Sequence, residues 1–223
     1  MSRSAHLAEQ KRSILAEALP LVPFDGWTAR TLAEAAVAAG YDASMAQRAF
    51  PGGPGELVAF YTAETDRRME EALARIDLAA LPIRQRIALA VRTRLELMAA
   101  HREAVRRALA LQARPGQAAQ ALRGLYHTVD AMWRAAGDTA TDFNHYTKRG
   151  LLAGVYSSTL LYWLNDSSED FAESWDFLDR RIADVMRIQK LRGRFDRCVE
   201  AVPSPWRALS ALRYGARRRA DAG

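Results

Sequence analysis

Cysteine is almost missing from this chain. Cys198 stands alone, so no disulfide can close within it, and a lone thiol suits a reducing compartment. Histidine is nearly as scarce, with only His6, His101, His127 and His145, and no Glu-x-x-His pair exists from which a helical bundle could build a di-iron site. His127-x-x-Asp130 and Asp142-x-x-His145 are short pairs without the spacing of a metal-ligand set. Gly52-Gly53-Pro54-Gly55 has no lysine and no preceding strand, which excludes a phosphate-binding loop. Cys198 has no evident activating base. Residues 1–12 lack both the apolar core of a secretory leader and the pattern of an amphipathic presequence. These absences lead to the expectation of a cytoplasmic protein that is not an enzyme and carries no cofactor or metal.

Charge is missing from one long run. Gly150 to Leu164 contains no Asp, Glu, Lys, Arg or His, and a helix that is apolar on every side must be buried in a core, a partner or lipid. At about 1.5 Å per residue the run spans roughly 22 Å, short of the roughly 30 Å of a bilayer core. It is therefore expected to lie inside the protein. Gly150, Gly154 and Ser158 recur every fourth residue, so one side is nearly bare and either another backbone or a ligand can approach it.

The rest of the chain is organised around this run. Thr141 or Asp142 is placed to cap its helix, Asn165-Asp166 to end it, and Ser167 or Ser168 to start the next, completed by Glu169 or Asp170. In that next helix Phe171, Trp175, Leu178, Ile182, Val185 and Met186 form an apolar stripe. Upstream, residues 6–19 predict a first helix stopped by Pro20 and Pro23. Thr28 caps a second that Gly40 ends, and a short one reaches Phe50. Further helices are predicted at 54–75, 82–100, to Ala113, and 115–136, the last with a stripe of Leu122, Leu125, Tyr126, Val129, Met132 and Trp133. No Ser/Gly/Pro linker divides the first 190 residues. The fold class is therefore all-α, with about nine helices. Residues 5–56 would form an N-terminal module, 57–190 a helical core and 195–223 a tail.

Positive charge is concentrated in that tail. From Arg187 onward ten Lys/Arg face three acids, an excess of +7 in a chain whose total is +6. Ser204 and Pro205 start a helix with Trp206, Leu209 and Leu212 on one side and Arg207, Arg217 and Arg218 on the other, while Arg213 sits near the apolar edge. Such a helix lies flat on an anionic membrane.

The segment TARTLAEAAVAAGYDASMAQRAFPGGPGEL, residues 28–57, resembles the helix-turn-helix of TetR-type regulators. A ligand-responsive transcriptional regulator is therefore the alternative function. Yet Arg30 and Arg48 face Glu34, Asp42 and Glu56 in this module, and a surface without surplus positive charge forgoes the counterion release that drives DNA binding. Nucleic acid is not the expected partner.

A more specific resemblance lies downstream. Asp130-Ala131-Met132-Trp133, Ala136-Gly137-Asp138, Thr141-Asp142-Phe143-Asn144, Tyr146-Thr147-Lys148-Arg149, Asp166-Ser167-Ser168 and Asp170-Phe171, with Asp25-Gly26-Trp27-Thr28 upstream, resemble the coenzyme-Q-nine family. The resemblance implies a TetR-like bundle that binds isoprenoid quinone or phospholipid and serves ubiquinone biosynthesis. Its partner would be the di-iron demethoxyubiquinone hydroxylase. Met132, Trp133, Tyr146, Leu151, Val155, Trp175, Leu178 and Ile182 become the candidate lipid-binding residues. The partner surface would fall on Asp130, Asp142, Asn144, His145, Tyr146 and Arg149. His145 departs from the mitochondrial members, which carry Trp there. The tail would bind membrane through Trp206, Arg207, Leu209, Leu212, Arg213, Arg217 and Arg218, placing the protein on the inner face of the membrane. A homodimer is expected through the last two core helices.

Overall fold

The computed structural model describes the backbone of residues 3–137 and 143–200, and the side chains of 5–137 and 146–187. Among these residues there are nine α-helices and no strand. They are α1 Arg3–Asp25, α2 Ala29–Ala38, α3 Ser44–Ala49, α4 Gly53–Leu73, α5 Ile83–Leu97, α6 Arg102–Gln112, α7 Ala118–Ala135, α8 Phe143–Trp163 and α9 Ala172–Glu200. The Thr141 or Asp142 cap and the tail helix lie outside the described residues.

Helix α1 runs through both prolines that were expected to stop it. Proline's fixed φ is helical, and its cost is a missing donor rather than a wrong dihedral. Here Ile14, Ala18 and Val22 are all fully buried, so the packed stripe carries the helix past Pro20 and Pro23 to Gly26. Gly26, at φ +71°, closes it by donating its N–H to the Val22 carbonyl at 2.9 Å.

Thr28 then caps α2 as the sequence suggests, its hydroxyl accepting from the Thr31 N–H at 3.1 Å. Thr28→Ala is expected to lower stability by about 1 kcal/mol, read as a shift in urea midpoint without a change in slope. Trp27, just before the cap, is buried and donates its indole N–H to the Ala104 carbonyl at 2.9 Å. One aromatic side chain thus fastens the N-terminal helices to α6. The anticipated division after residue 56 falls inside α4, a single helix.

By compactness the chain separates into two units at Asp179/Arg180, within α9. In the second unit, Arg180–Gly223, the described side chains pair locally, with Arg181 and Asp184 2.7 Å apart.

In the first unit α7 and α8 form a hairpin beside α4 and α5. The turn after α8 is built on Asp166 together with the expected Ser168, which stands at the N-cap of the short helix from Glu169 and whose hydroxyl accepts the Glu173 N–H at 3.1 Å. The buried Asp166 carboxylate accepts the Ser168 and Ser174 N–H groups at 2.7 and 2.9 Å, and both of their hydroxyls. Asp170 and Phe171 adopt left-handed φ values of 50° and 58°, costly for phenylalanine. The Phe171 ring is held there by Trp163 at 5.7 Å, Trp175 at 6.3 Å and the Arg102 guanidinium at 5.0 Å. No helix among the described residues is long and apolar enough to cross a membrane.

Candidate functional site

Helices α4 to α8 enclose a cavity of about 350 Å³. Its walls are mostly apolar, with Val105, Ala108 and Leu109 from α6, Ala121 and Leu125 from α7, and Leu160 from α8. At its mouth stand Leu122 and Leu161, 67% and 58% exposed. Its inner end is polar and fully built into the fold. Arg94, buried, donates Nε–H to Asp66 Oδ1 at 2.7 Å and Nη1–H to the Tyr156 hydroxyl, and Thr128 donates to Asp66 Oδ2 at 2.9 Å. Burial opposes the Arg94 charge, and Tyr156 and Asp66 more than offset it, so its pKa stays above the ordinary value. Burial also raises the Tyr156 phenol, against the pull of Arg94. Four helices meet in this one knot.

A second cavity of about 220 Å³ shares Thr62, Gln112, Ala121 and Gly124 with the first, and adds Asp66, Arg123 and His127.

The residues expected to bind lipid lie elsewhere on the α7–α8 hairpin and on α9. Met132, Trp133, Tyr146, Leu151, Val155, Trp175 and Leu178 are not among the first cavity's lining residues, and Ile182 belongs to the second unit. Near the connection between the two helices large side chains fill the space: Met132 is fully buried, and Trp133 donates to the Lys148 carbonyl at 3.3 Å with Lys148 Nζ over its ring at 5.5 Å. Toward the N-terminal half of α7, Ala121, Gly124 and Thr128 are too small to do so, and the hollow opens there. Trp175 is held by the Asp170 carbonyl at 2.7 Å and by Arg92 over its ring at 5.0 Å, and Leu178 is buried core. Gly150 and Gly154 line neither cavity. They are exposed, and beyond its chain neighbours and the adjacent backbone of α8 a Cβ on either would meet no atom within 4 Å.

Of the expected partner surface, Tyr146 is 69% exposed. Arg149 is the reverse: its side chain is 4% exposed and its Nε lies 2.6 Å from Asp130 Oδ1, while Arg134 binds Asp130 Oδ2 at 2.6 Å. The Arg149–Asp130 pair ties α8 to α7, which corrects its placement on an outer patch. The side chains of Asp142, Asn144 and His145 lie outside the described residues, as do Trp206, Arg207, Leu209, Leu212, Arg213, Arg217 and Arg218.

Sequence reasoning missed Tyr61, Asp66, Arg94, Thr128 and Tyr156. One signal was available. Along α5 and its C-cap the buried stripe runs Ile87, Val91, Arg94 and Met98, so an arginine occupies a core position by spacing alone. Asp66 does the same in α4, between Tyr61 and Met69. Charges on two core stripes predict each other.

An ion pair joins the first helix of the N-terminal module to the start of α4. Glu56, in the first turn of α4, sits 2.9 Å from Lys11 and accepts the Gly52 N–H at 2.8 Å. Among the described residues no group of three His, Cys, Asp or Glu side chains is arranged to hold a metal.

The arrangement has close relatives. The fold matches the crystal structure of the TetR transcriptional regulator from Nitrosomonas europaea with a TM-score of 0.65, covering 78% of this chain and 97% of that one at 19% identity. The ubiquinone biosynthesis protein COQ9, mitochondrial, of Rattus norvegicus is 38% identical over 182 residues, and its Homo sapiens counterpart 37%. Each alignment covers 78% of this chain, which spans 58% and 57% of the two relatives' lengths. The Drosophila melanogaster protein of the same name is 30% identical over 85% of the chain. Residues 118–189, which include the α7–α8 hairpin, match the COQ9 family model. On a TetR-like helical fold, this chain belongs to the COQ9 family.

Proposed function

We propose that the chain is a non-enzymatic accessory protein of ubiquinone biosynthesis that carries an isoprenoid lipid in the α4–α8 cavity. It would deliver quinone intermediates to the di-iron demethoxyubiquinone hydroxylase at the membrane. The cavity carries this reading. It is apolar, falls within the range of small-ligand sites, and exposes two leucines at its mouth where a core would have closed. The relatives' shared name supplies the pathway.

The basic tail supplies the location. Burying Trp206, Leu209 and Leu212 contributes about 2 kcal/mol each and nearby arginines about 1 each, before the cost of immobilisation, which is enough for reversible rather than permanent attachment. The open Gly150–Gly154 face of α8 is the surface on which two copies would pair. The regulator alternative has less support, because Lys11 is already engaged by Glu56.

Native mass spectrometry of gently purified protein tests the core of the proposal. Co-purified isoprenoid or phospholipid is the expected result, and a cavity found empty in repeated preparations, with none taken up from added lipid, would sink it.

A further inference from the structure

We propose that Tyr61 selects the ligand by its head, and that the lipid enters head first, its neutral, oxygen-bearing end on the polar floor and its hydrocarbon running out past Leu122 and Leu161. This rests on the lipid-carrier reading and gives it a direction.

The first observation is an unmet hydrogen bond. Tyr61 lines the cavity, is 8% exposed, and its hydroxyl is buried without a hydrogen-bond partner. A buried hydroxyl left unpaired costs free energy that a ligand acceptor would recover. The neighbouring polar groups are already engaged with one another: Arg94 with Asp66 and Tyr156, and Thr128 with Asp66. Burial pushes the Tyr61 phenol up to about 12, so it remains a proton donor at any physiological pH.

The second observation is charge. Arg94 is the sole charged side chain among the cavity's lining residues, and Asp66 at 2.7 Å neutralises it. A phosphate brought to this floor would lose its water and meet no uncommitted cation. A ring carbonyl or methoxy oxygen asks only for a donor.

The third is polarity along the cavity. The most exposed large side chains of the lining are Leu122 and Leu161 and the buried floor carries hydroxyls and a guanidinium, so a phospholipid with its head outward would set acyl chain against Arg94 and phosphate beside Leu122 and Leu161. The opposite orientation matches both ends. Because the ring is then the last part to leave, transfer to a partner enzyme requires complete release rather than exposure of the ring at the mouth.

Titration calorimetry with three probes in detergent tests this: geranyl-tailed ubiquinone, geranylbenzene and geranyl phosphate, each on wild type and on Tyr61→Phe. The quinone is expected to bind tightest to wild type. Tyr61→Phe should weaken it about three- to tenfold while leaving geranylbenzene unchanged. The same variant, relieved of an unpaired hydroxyl, should melt no lower than wild type, which separates a binding role from a structural one. Equal quinone affinity in both proteins, or tightest binding of the phosphate, overturns the head-first assignment and leaves the lipid cavity standing. Absence of binding by all three probes overturns the cavity reading itself, and this inference with it.

Discussion

Arg94→Met is expected to destabilise the protein by about 3–5 kcal/mol, a large share of the stability of a single domain. Methionine fills most of the volume, so the loss is not chiefly one of packing. What remains is the Asp66 carboxylate, buried between α4, α5 and α7 with only Thr128 donating to it. A buried carboxylate stripped of its cation costs free energy relative to the native pair. The double variant Arg94→Met/Asp66→Leu removes the stranded acid and should recover most of that loss, leaving about 1–2 kcal/mol for the forfeited bonds to Tyr156 and Thr128. Urea denaturation followed by circular dichroism measures both. If the single variant lies within 1 kcal/mol of wild type, the knot is not what holds these helices together. Recovery in the double variant also bears on function, because it restores a folded cavity whose floor keeps its hydroxyls and has lost its guanidinium.

That knot shows where reading from sequence succeeds and where it stops. Local signals were legible because their physics is local: Thr28 before a helix, Gly40 after one, and a stretch without charge too short to span lipid. Helix order followed, since the lengths and turns of α2 to α7 depend on neighbours within a few residues. Two kinds of feature were not legible. Pro20 and Pro23 stop an isolated helix, yet α1 continues because Val22 is buried by distant partners that the local sequence does not contain. The position of the cavity was the other. An apolar stripe says which side of a helix faces inward, not whether that side is filled, so Met132 and Val155 were indistinguishable from cavity walls. In the structure the large residues close one end of the hairpin, and the small ones, Ala121 and Gly124, leave the other end hollow. The same ambiguity misplaced Leu122 and Tyr126, read as core and found 67% and 41% exposed. Arg149 was placed on a partner surface by the family resemblance, and its ion pair with Asp130, nineteen positions away, buries its side chain instead.

Asp166→Ala is expected to cost about 2–4 kcal/mol, because four donors lose their acceptor at once: the N–H and hydroxyl of Ser168 and of Ser174, the latter fully buried. The turn it organises connects α8 to α9, and α8 supplies Tyr156, Leu160 and Leu161 to the cavity. Arg102 reinforces the same corner by donating to the Trp163 and Asp166 carbonyls at 2.5 and 2.8 Å, as Arg106 does to Leu164 at 2.6 Å, so the C-terminal end of α8 is capped by cations from α6. The carboxylate gives this corner a pH dependence with a definite sign. Burial pushes Asp166 up, but the Ser168 and Ser174 hydrogen bonds outweigh it and hold its pKa at about 2, below the ordinary value of about 3.9. A depressed folded-state pKa stabilises above the unfolded value and is lost as pH falls through the folded one, so this contribution is intact at pH 6 and fades between roughly pH 4 and pH 2. Asp166→Asn keeps one acceptor and cannot titrate. Its deficit against wild type should be about 2 kcal/mol at neutral pH and should shrink steadily below pH 4, as urea midpoints measured at pH 6, 4 and 3 would show. A deficit that stays constant across that range would mean that the ionised carboxylate contributes nothing beyond its shape.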